Sequence, residues 1–135
     1  MIITICGSCT FAKEMGQAVD FLKSKGFEVF APEPLVTEEW YADNHGKEKL
    51  LEMKPVFTRN QFGKIENSDA VLIFNKEKKG IAGYFGSNTL MELSVAFFLN
   101  KKIYFLNPIT QKHPHYEEVI GLGSINLSGD LSKIV

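Results

Sequence analysis

Short apolar runs alternate with stretches whose apolar residues recur at helical spacing, and this alternation constrains the fold more than any other feature. Ile2 to Cys6 is apolar and rich in β-branched residues, the pattern of a strand buried on both faces. Gly7-Ser8 breaks it. Phe11, Met15, Ala18, Val19 and Leu22 then fall on one helical face, and Gly26 is the stop. Phe27 to Ala31 is a second strand, ended by Pro32 and Pro34, and the whole is a βαβ unit. Leu35 to Gly46 shows no period and holds Trp40, Tyr41, Asp43 and His45, so a loop or partly helical lid is expected. Lys47 to Asn67 is mostly helical, with Leu50, Leu51, Phe57, Gln61, Phe62 and Ile65 on related faces. Pro55 predicts a kink there, or the start of a second helix. Asn67-Ser68-Asp69 is a stop, Ala70 to Phe74 a third strand, and Ile103 to Leu106 a fourth, ended by Asn107-Pro108. His115 to Ile120 suits a short helix and Ser124 to Leu127 a weak fifth strand.

Strands alternating with helices predict an α/β fold, a doubly wound parallel sheet with helices on both faces, three layers in all. With 135 residues, residues 1–135 are expected to form one domain, and the flavodoxin-like strand order 2-1-3-4-5 fits best. That order makes strands 1 and 3 neighbours at the point where the winding reverses. The loops after them, Gly7-Ser8-Cys9-Thr10 and Gly80 to Asn88, would then open into one crevice.

The second of these loops carries the densest signal. Gly80, Gly83 and Gly86 keep it slim and let backbone approach a ligand. Ser87, Asn88 and Thr89 are helix-starting residues, and the helix that follows, to about Leu99, is apolar nearly all round. Lys101-Lys102 suits its negative end. Helix starts collect unpaired N–H groups that attract anions, so Gly86, Ser87 and Asn88 are candidate ligand contacts. Glu92 has two readings. Thr89-x-x-Glu92 fits a capping box, in which the carboxylate only satisfies backbone N–H groups; facing a sugar, the same carboxylate can attack an anomeric carbon.

Other candidates pair in the same way. Gly7 and Ser8 are a phosphate cradle or a plain turn with a serine cap. Asn75 and Asn107 end strands on the crevice side and suit a sugar hydroxyl, a base edge or turn chemistry. Tyr84 or Phe85 can stack on a base or cover the loop. Lys76-Glu77-Lys78-Lys79 is a solvated loop tip that can also draw in an anion, and Asp69 is a turn residue at the far end of the sheet. Cys6 and Cys9 form C-x-x-C, the spacing of a redox pair or half a zinc site, but no second pair completes a zinc site; Cys6 is expected to be a small apolar strand residue.

Net charge is −1, so no basic field points to a nucleic-acid polymer. No apolar run approaches the roughly 20 residues that span a membrane, and the opening Met-Ile-Ile-Thr-Ile-Cys lacks the basic lead of a secretory signal. The cytoplasm is the expected compartment, with no metal and no cofactor. Leu90 to Phe98 is apolar enough to suggest a homodimer or higher homo-oligomer.

Ile3 to Ser8, Asn67 to Asn75 and Gly83 to Ala96 resemble the nucleoside 2-deoxyribosyltransferase superfamily, which includes the 2′-deoxynucleoside 5′-phosphate N-hydrolases. The resemblance follows most of the chain in order, and Gly86-x5-Glu92 is its strongest motif. It implies that Glu92 is the nucleophile attacking C1′ of a deoxyribose. Gly7-Ser8 is more similar to the hydrolases, whose serine contacts phosphate. Three positions depart. Gln61 stands where the family carries an aspartate that helps the base leave, and glutamine can hydrogen-bond a base but cannot donate a proton as an acid would. Gly86 stands where the transferases carry a second aspartate, and Ile5 replaces a tyrosine on strand 1. The resemblance implies a small-molecule nucleoside or nucleotide as partner. The expected activity is cleavage or deoxyribosyl transfer at its N-glycosidic bond. The alternatives are a nucleotide or sugar-phosphate binding protein without catalysis, or a structural subunit.

Overall fold

The computed structural model describes residues 1–32 and 46–135, apart from the side chains of residues 46, 47, 49 and 50. The loop or lid expected between Leu35 and Gly46 lies outside the described residues, save Gly46 itself. Strands β1 (Ile2–Cys6), β2 (Glu28–Phe30), β3 (Ala70–Ile73), β4 (Lys102–Phe105) and β5 (Ile125–Asn126) form one sheet in the order β2-β1-β3-β4-β5. Every pairing is parallel, and Ile5 lies opposite Leu72 in the central pair. The helices are α1 (Ala12–Ser24), α2 (Gly46–Glu66), α3 (Ser87–Phe98) and the single turn α4 (Tyr116–Val119).

Alternation along the strands builds two cores. Ile3, Ile5, Leu72 and Tyr104 face α1, packing with Met15, Ala18 and Leu22. Cys6, Val71, Ile73, Ile103 and Phe105 face the other way, against Ile65 of α2 and Leu93 and Ala96 of α3. The central strands are apolar on both faces because helices cover both faces. Thr4 is the polar exception, and its hydroxyl shares a 2.6 Å hydrogen bond with that of Ser68.

The ends of α2 show how local chemistry sets its bounds. Ser68 Oγ donates to the carbonyl of Lys64 at 2.7 Å, satisfying a carbonyl at the helix end, and Asn67 Nδ2 adds a 2.8 Å bond to the carbonyl of Gly63, which also accepts the Asn67 N–H. Lys101 Nζ donates to Glu66 O at 2.9 Å, so this lysine serves the end of α2 rather than that of α3. Lys102 instead places its ammonium 5.8 Å from the Tyr104 ring centre. Asp69 accepts the Ile2 N–H at 2.7 Å, a bond between segments beyond its expected turn. No second helix begins at Pro55: α2 runs through it as one element. Proline deprives one carbonyl, that of residue 51, of its donor, and Leu51 and Pro55 are both exposed, so water can take its place.

Gly83 ties the fold to the crevice. Its φ is +66°, and a Cβ there would collide with the backbone carbonyl oxygen of Pro108. Gly80 also has a positive φ, +75°, but open space around it. Gly86 has neither requirement, with φ −94°. Gly83→Ala is therefore expected to cost well over the roughly 1 kcal/mol of backbone strain that Gly80→Ala incurs. Urea denaturation of the two variants against wild type measures the difference, and equal losses would contradict this account of the loop.

Candidate functional site

The β1–β3 pairing brings the two loops together as the strand order requires. A cavity of about 300 Å³ lies between them, lined by Gly7, Ser8, Lys78, Tyr84, Gly86 and Glu92, by Ser87, Asn88 and Thr89 of α3, and by Gln61 and Phe62 of α2. Such a volume lies at the small end of small-molecule sites.

Helix α3 starts one turn earlier than a capping box requires. Gly86 is its N-cap and offers no side-chain cap. Thr89 is buried inside the first turn, which holds no acidic residue, and Glu92 sits in the second turn. The carboxylate is thus too far along the helix to serve the orphan N–H groups of the N-terminus. It faces α2, where Gln61 Nε2 donates to Glu92 Oε2 at 3.4 Å. Burial pushes its pKa up to about 7, while hydrogen bonds from the Cys6 thiol and the Gln61 amide and the charge of Lys64 pull the other way. Desolvation wins because few groups here solvate a negative charge. The Cys6 thiol, fully buried under the carboxylate, is pushed well above its ordinary value, first by burial and then by the Glu92 charge. Cys6 and Cys9 are both free, and Cys6 packs in the core. Among the described residues no three potential metal ligands cluster.

The first loop is built around Ser8. It caps a 3-10 turn, Cys9–Phe11, accepting from Thr10 N–H at 3.3 Å. Lys78 reaches across from the second loop and donates to Ser8 Oγ and Thr10 Oγ1, each at 3.2 Å. This lysine is therefore part of the cavity wall and not simply a solvated tip. Its position depends on an antiparallel bridge between Lys78 and Ile81, a turn that periodicity does not reveal.

Asn75 is placed elsewhere than expected. It is fully buried, donates to Gly83 O and Asn107 O at 3.2 and 2.7 Å, and accepts from Asn107 N–H at 2.9 Å. Asn107 returns a bond to Asn75 O at 3.0 Å. The pair is a clamp that joins the ends of β3 and β4 to the glycine loop, and Asn75 does not line the cavity. Of the two aromatic candidates, Phe85 points into the core and stacks on Phe105, ring centres 5.9 Å apart. Tyr84 lines the cavity and stacks on His113 at 5.6 Å.

His113, absent from the sequence-level candidates, holds the loop from behind. Its Nε2 faces Phe85 N–H and its Nδ1 faces His115 N–H, both at 3.0 Å. A neutral imidazole accepts at one nitrogen and an imidazolium at neither. Burial, and then the neighbouring His115, lower its pKa accordingly. No spacing signal marks a histidine that acts 28 residues after its backbone partner.

No protein-family model matches the sequence, and no curated protein sequence matches it. Solved structures do resemble it in three dimensions. The 2-deoxyribosyltransferase of Bacillus psychrosaccharolyticus superposes with a TM-score of 0.57 at 17% identity, over 82% of this chain and 75% of that one. The 2-deoxyribosyltransferase of Leishmania mexicana gives 0.51 at 17%, over 87% and 69%. The CMP N-glycosidase of Clostridium botulinum gives 0.45 at 17%, over 78% and 70%, too loose a match to carry an argument. The chain shares the fold of the two transferases.

The raised Glu92 pKa has a consequence for stability. In the unfolded chain the carboxyl ionises near its ordinary 4.5, in the fold near 7. The folded state then holds the extra proton between these values, so stability falls as pH rises from about 4.5 to about 7. Glu92→Gln is expected to stabilise the protein at pH 8 by up to about 3 kcal/mol relative to its effect at pH 4. Denaturant titrations at the two pH values decide it; a pH-independent difference would place the carboxylate in a water-like setting.

Proposed function

We propose that this chain cleaves the N-glycosidic bond of a nucleoside or nucleotide, or transfers its sugar, with Glu92 as nucleophile. The observation that carries the proposal is a partly buried carboxylate, free of its own helix terminus, beside a cavity that two loops and Gln61 enclose. The shared fold with two 2-deoxyribosyltransferases supports it, as does the match of Glu92 to the nucleophile of the family that the sequence resembles.

In the step proposed, a Glu92 oxygen attacks C1′ and the C1′–N bond breaks. The electron pair leaves with the base, which takes a proton from water. Water, or a nitrogen of a second base, then attacks C1′ from the opposite side and loses a proton, releasing the carboxylate. Gln61 supplies no proton. The nucleophile must be ionised, so activity requires a pH near or above 7. Among the described residues the Lys78 ammonium rests on two hydroxyls and not on a carboxylate, which suits an anionic group such as a 5′-phosphate. Gly7, Ser8, Ser87 and Asn88 line the same region.

Gln61 also favours a second reading, a binding protein in which turnover has been lost along with the family's acid. Incubation with a panel of deoxynucleosides and their 5′-monophosphates separates the two. Free base is expected to appear, at a rate rising with pH through about 7, and to fall at least about a hundredfold in Glu92→Ala. Lys78→Ala is expected to narrow any preference for the monophosphate. Nucleotide binding without base release selects the second reading; neither binding nor release removes both.

We propose further that two copies associate through α3. Leu93 and Ala96 are buried under this helix, while Met91, Phe97 and Phe98 are 43, 50 and 81% exposed on it. Exposed aromatic residues on an apolar helix mark contact surfaces. Light scattering at micromolar concentration is expected to give the mass of a dimer or larger, and a monomer throughout would end this proposal.

A further inference from the structure

Gln61 is 7% exposed, yet it borders the cavity. Its Nε2 donates to the carbonyl oxygen of Ile5 at 3.0 Å. A carbonyl only accepts, so the end of the amide that faces it is the NH2 group. The second N–H lies between Glu92 Oε2, at 3.4 Å, and Cys6 Sγ, at 3.7 Å. Both donors are committed to the protein. Among the described residues no protein group donates to the Oε1 oxygen, and no buried side-chain polar atom goes unpaired. The oxygen therefore opens on the cavity.

With Glu92 ionised, turning the amide over would set Oε1 against the Ile5 carbonyl and the Glu92 carboxylate, acceptors that bring no proton to it. An unpaired buried acceptor is costly, so the orientation is fixed by the strand behind it. An ordinary glutamine serves donors and acceptors alike by rotating; this one cannot.

We infer that Gln61 Oε1 is a fixed acceptor for an N–H of the ligand, and that the cavity selects nucleobases presenting an N–H over those with none. This rests on the nucleoside reading of the cavity given above and adds the feature of the base that is read. A ligand that offers only acceptors meets the oxygen with a lone pair and leaves it dry and unpaired. The pair Gln61–Ile5 O thus turns a residue that cannot act as an acid into one that sorts bases.

The test uses paired probes that differ in one amino group. Base-unsubstituted purine and 2-pyrimidinone nucleosides have no N–H on the base, whereas adenine and cytosine each carry one amino group. Carbocyclic forms of the nucleoside 5′-monophosphates resist cleavage and allow binding to be titrated on the wild-type protein by calorimetry. In at least one pair the amino-bearing member is expected to bind about tenfold tighter or more. Gln61→Met keeps the length and loses the oxygen, and there the ratio is expected to fall towards one. Equal affinities within both pairs for the wild type overturn the inference without any variant. A ratio that survives in Gln61→Met assigns the contact to another group and overturns it as well. Base release from natural substrates with no such discrimination overturns this inference alone. Absence of binding by every probe, with no base released, overturns it together with the nucleoside reading.

Discussion

The parallel pairing of β1 with β3 is the contact on which the cavity depends. Ile3 to Cys6 lie beside Ala70 to Ile73 in register, and Phe74 N–H continues the ladder to Cys6 O at 2.8 Å. Both strands end at the same level, so Gly7 and the loop after Asn75 leave the sheet together. Gly7 allows little slack: a Cβ there would stand 2.9 Å from Phe74 Cβ. A parallel ladder fixes register through side chains on both faces, since a slip of one residue would exchange the two cores. The position of Ser8 relative to Lys78, and of Ile5 O relative to Gln61, is therefore set by apolar packing well below the cavity.

A polar column rises from that packing. Cys6, Gln61 and Glu92 come from a strand and two helices, and they meet over the end of β1. The arrangement costs stability when Glu92 is ionised, because burial raises its pKa to about 7. Two apolar cores surround it, with Ile5, Leu72, Ile73 and Leu93 fully buried. Each such side chain contributes roughly 1.5–3 kcal/mol, against a penalty of about 3 kcal/mol for the carboxylate. The core can therefore hold one poorly solvated acid, and Gln61 and the thiol reduce the cost without removing it.

The fold was legible because it follows from local periodicity. The β-branched run at Ile2, the positive φ of Gly26 and the alternating cores all rest on residues close in sequence. The errors in the elements arise where distant groups decide. Lys101 sits beyond α3 in sequence but bonds the end of α2 in space. Pro55 predicts a kink or the start of a second helix, and no second helix begins there, because the exposed position lets water replace the missing bond. The cavity was legible only in outline. Glu92, Ser8, Tyr84 and Gly86 border it, whereas Asn75 is spent on a clamp that depends on Asn107, 32 residues away. His113 and Lys78 act through loop geometry that no period encodes, and the direction of the Gln61 amide is decided by a strand 56 residues earlier.

The same geometry explains how the capping and nucleophile readings of Glu92 come to differ by a single turn. With Ser or Thr as N-cap at Thr89, the helix would begin three residues later and Glu92 would fall on its own N–H groups. The glycine loop prevents this. Gly83 packs against Pro108 and Phe85 is held by His113, so the chain is already in place for Gly86 to start the helix. Beginning the helix there leaves the first N–H groups of α3 without a side-chain cap at the cavity. It also moves Glu92 one turn inward, to face Gln61 and the cavity. A loop clamp at Asn75, Pro108 and His113 thus determines both ends of the site: donors left open at the helix start, and a carboxylate withdrawn from them.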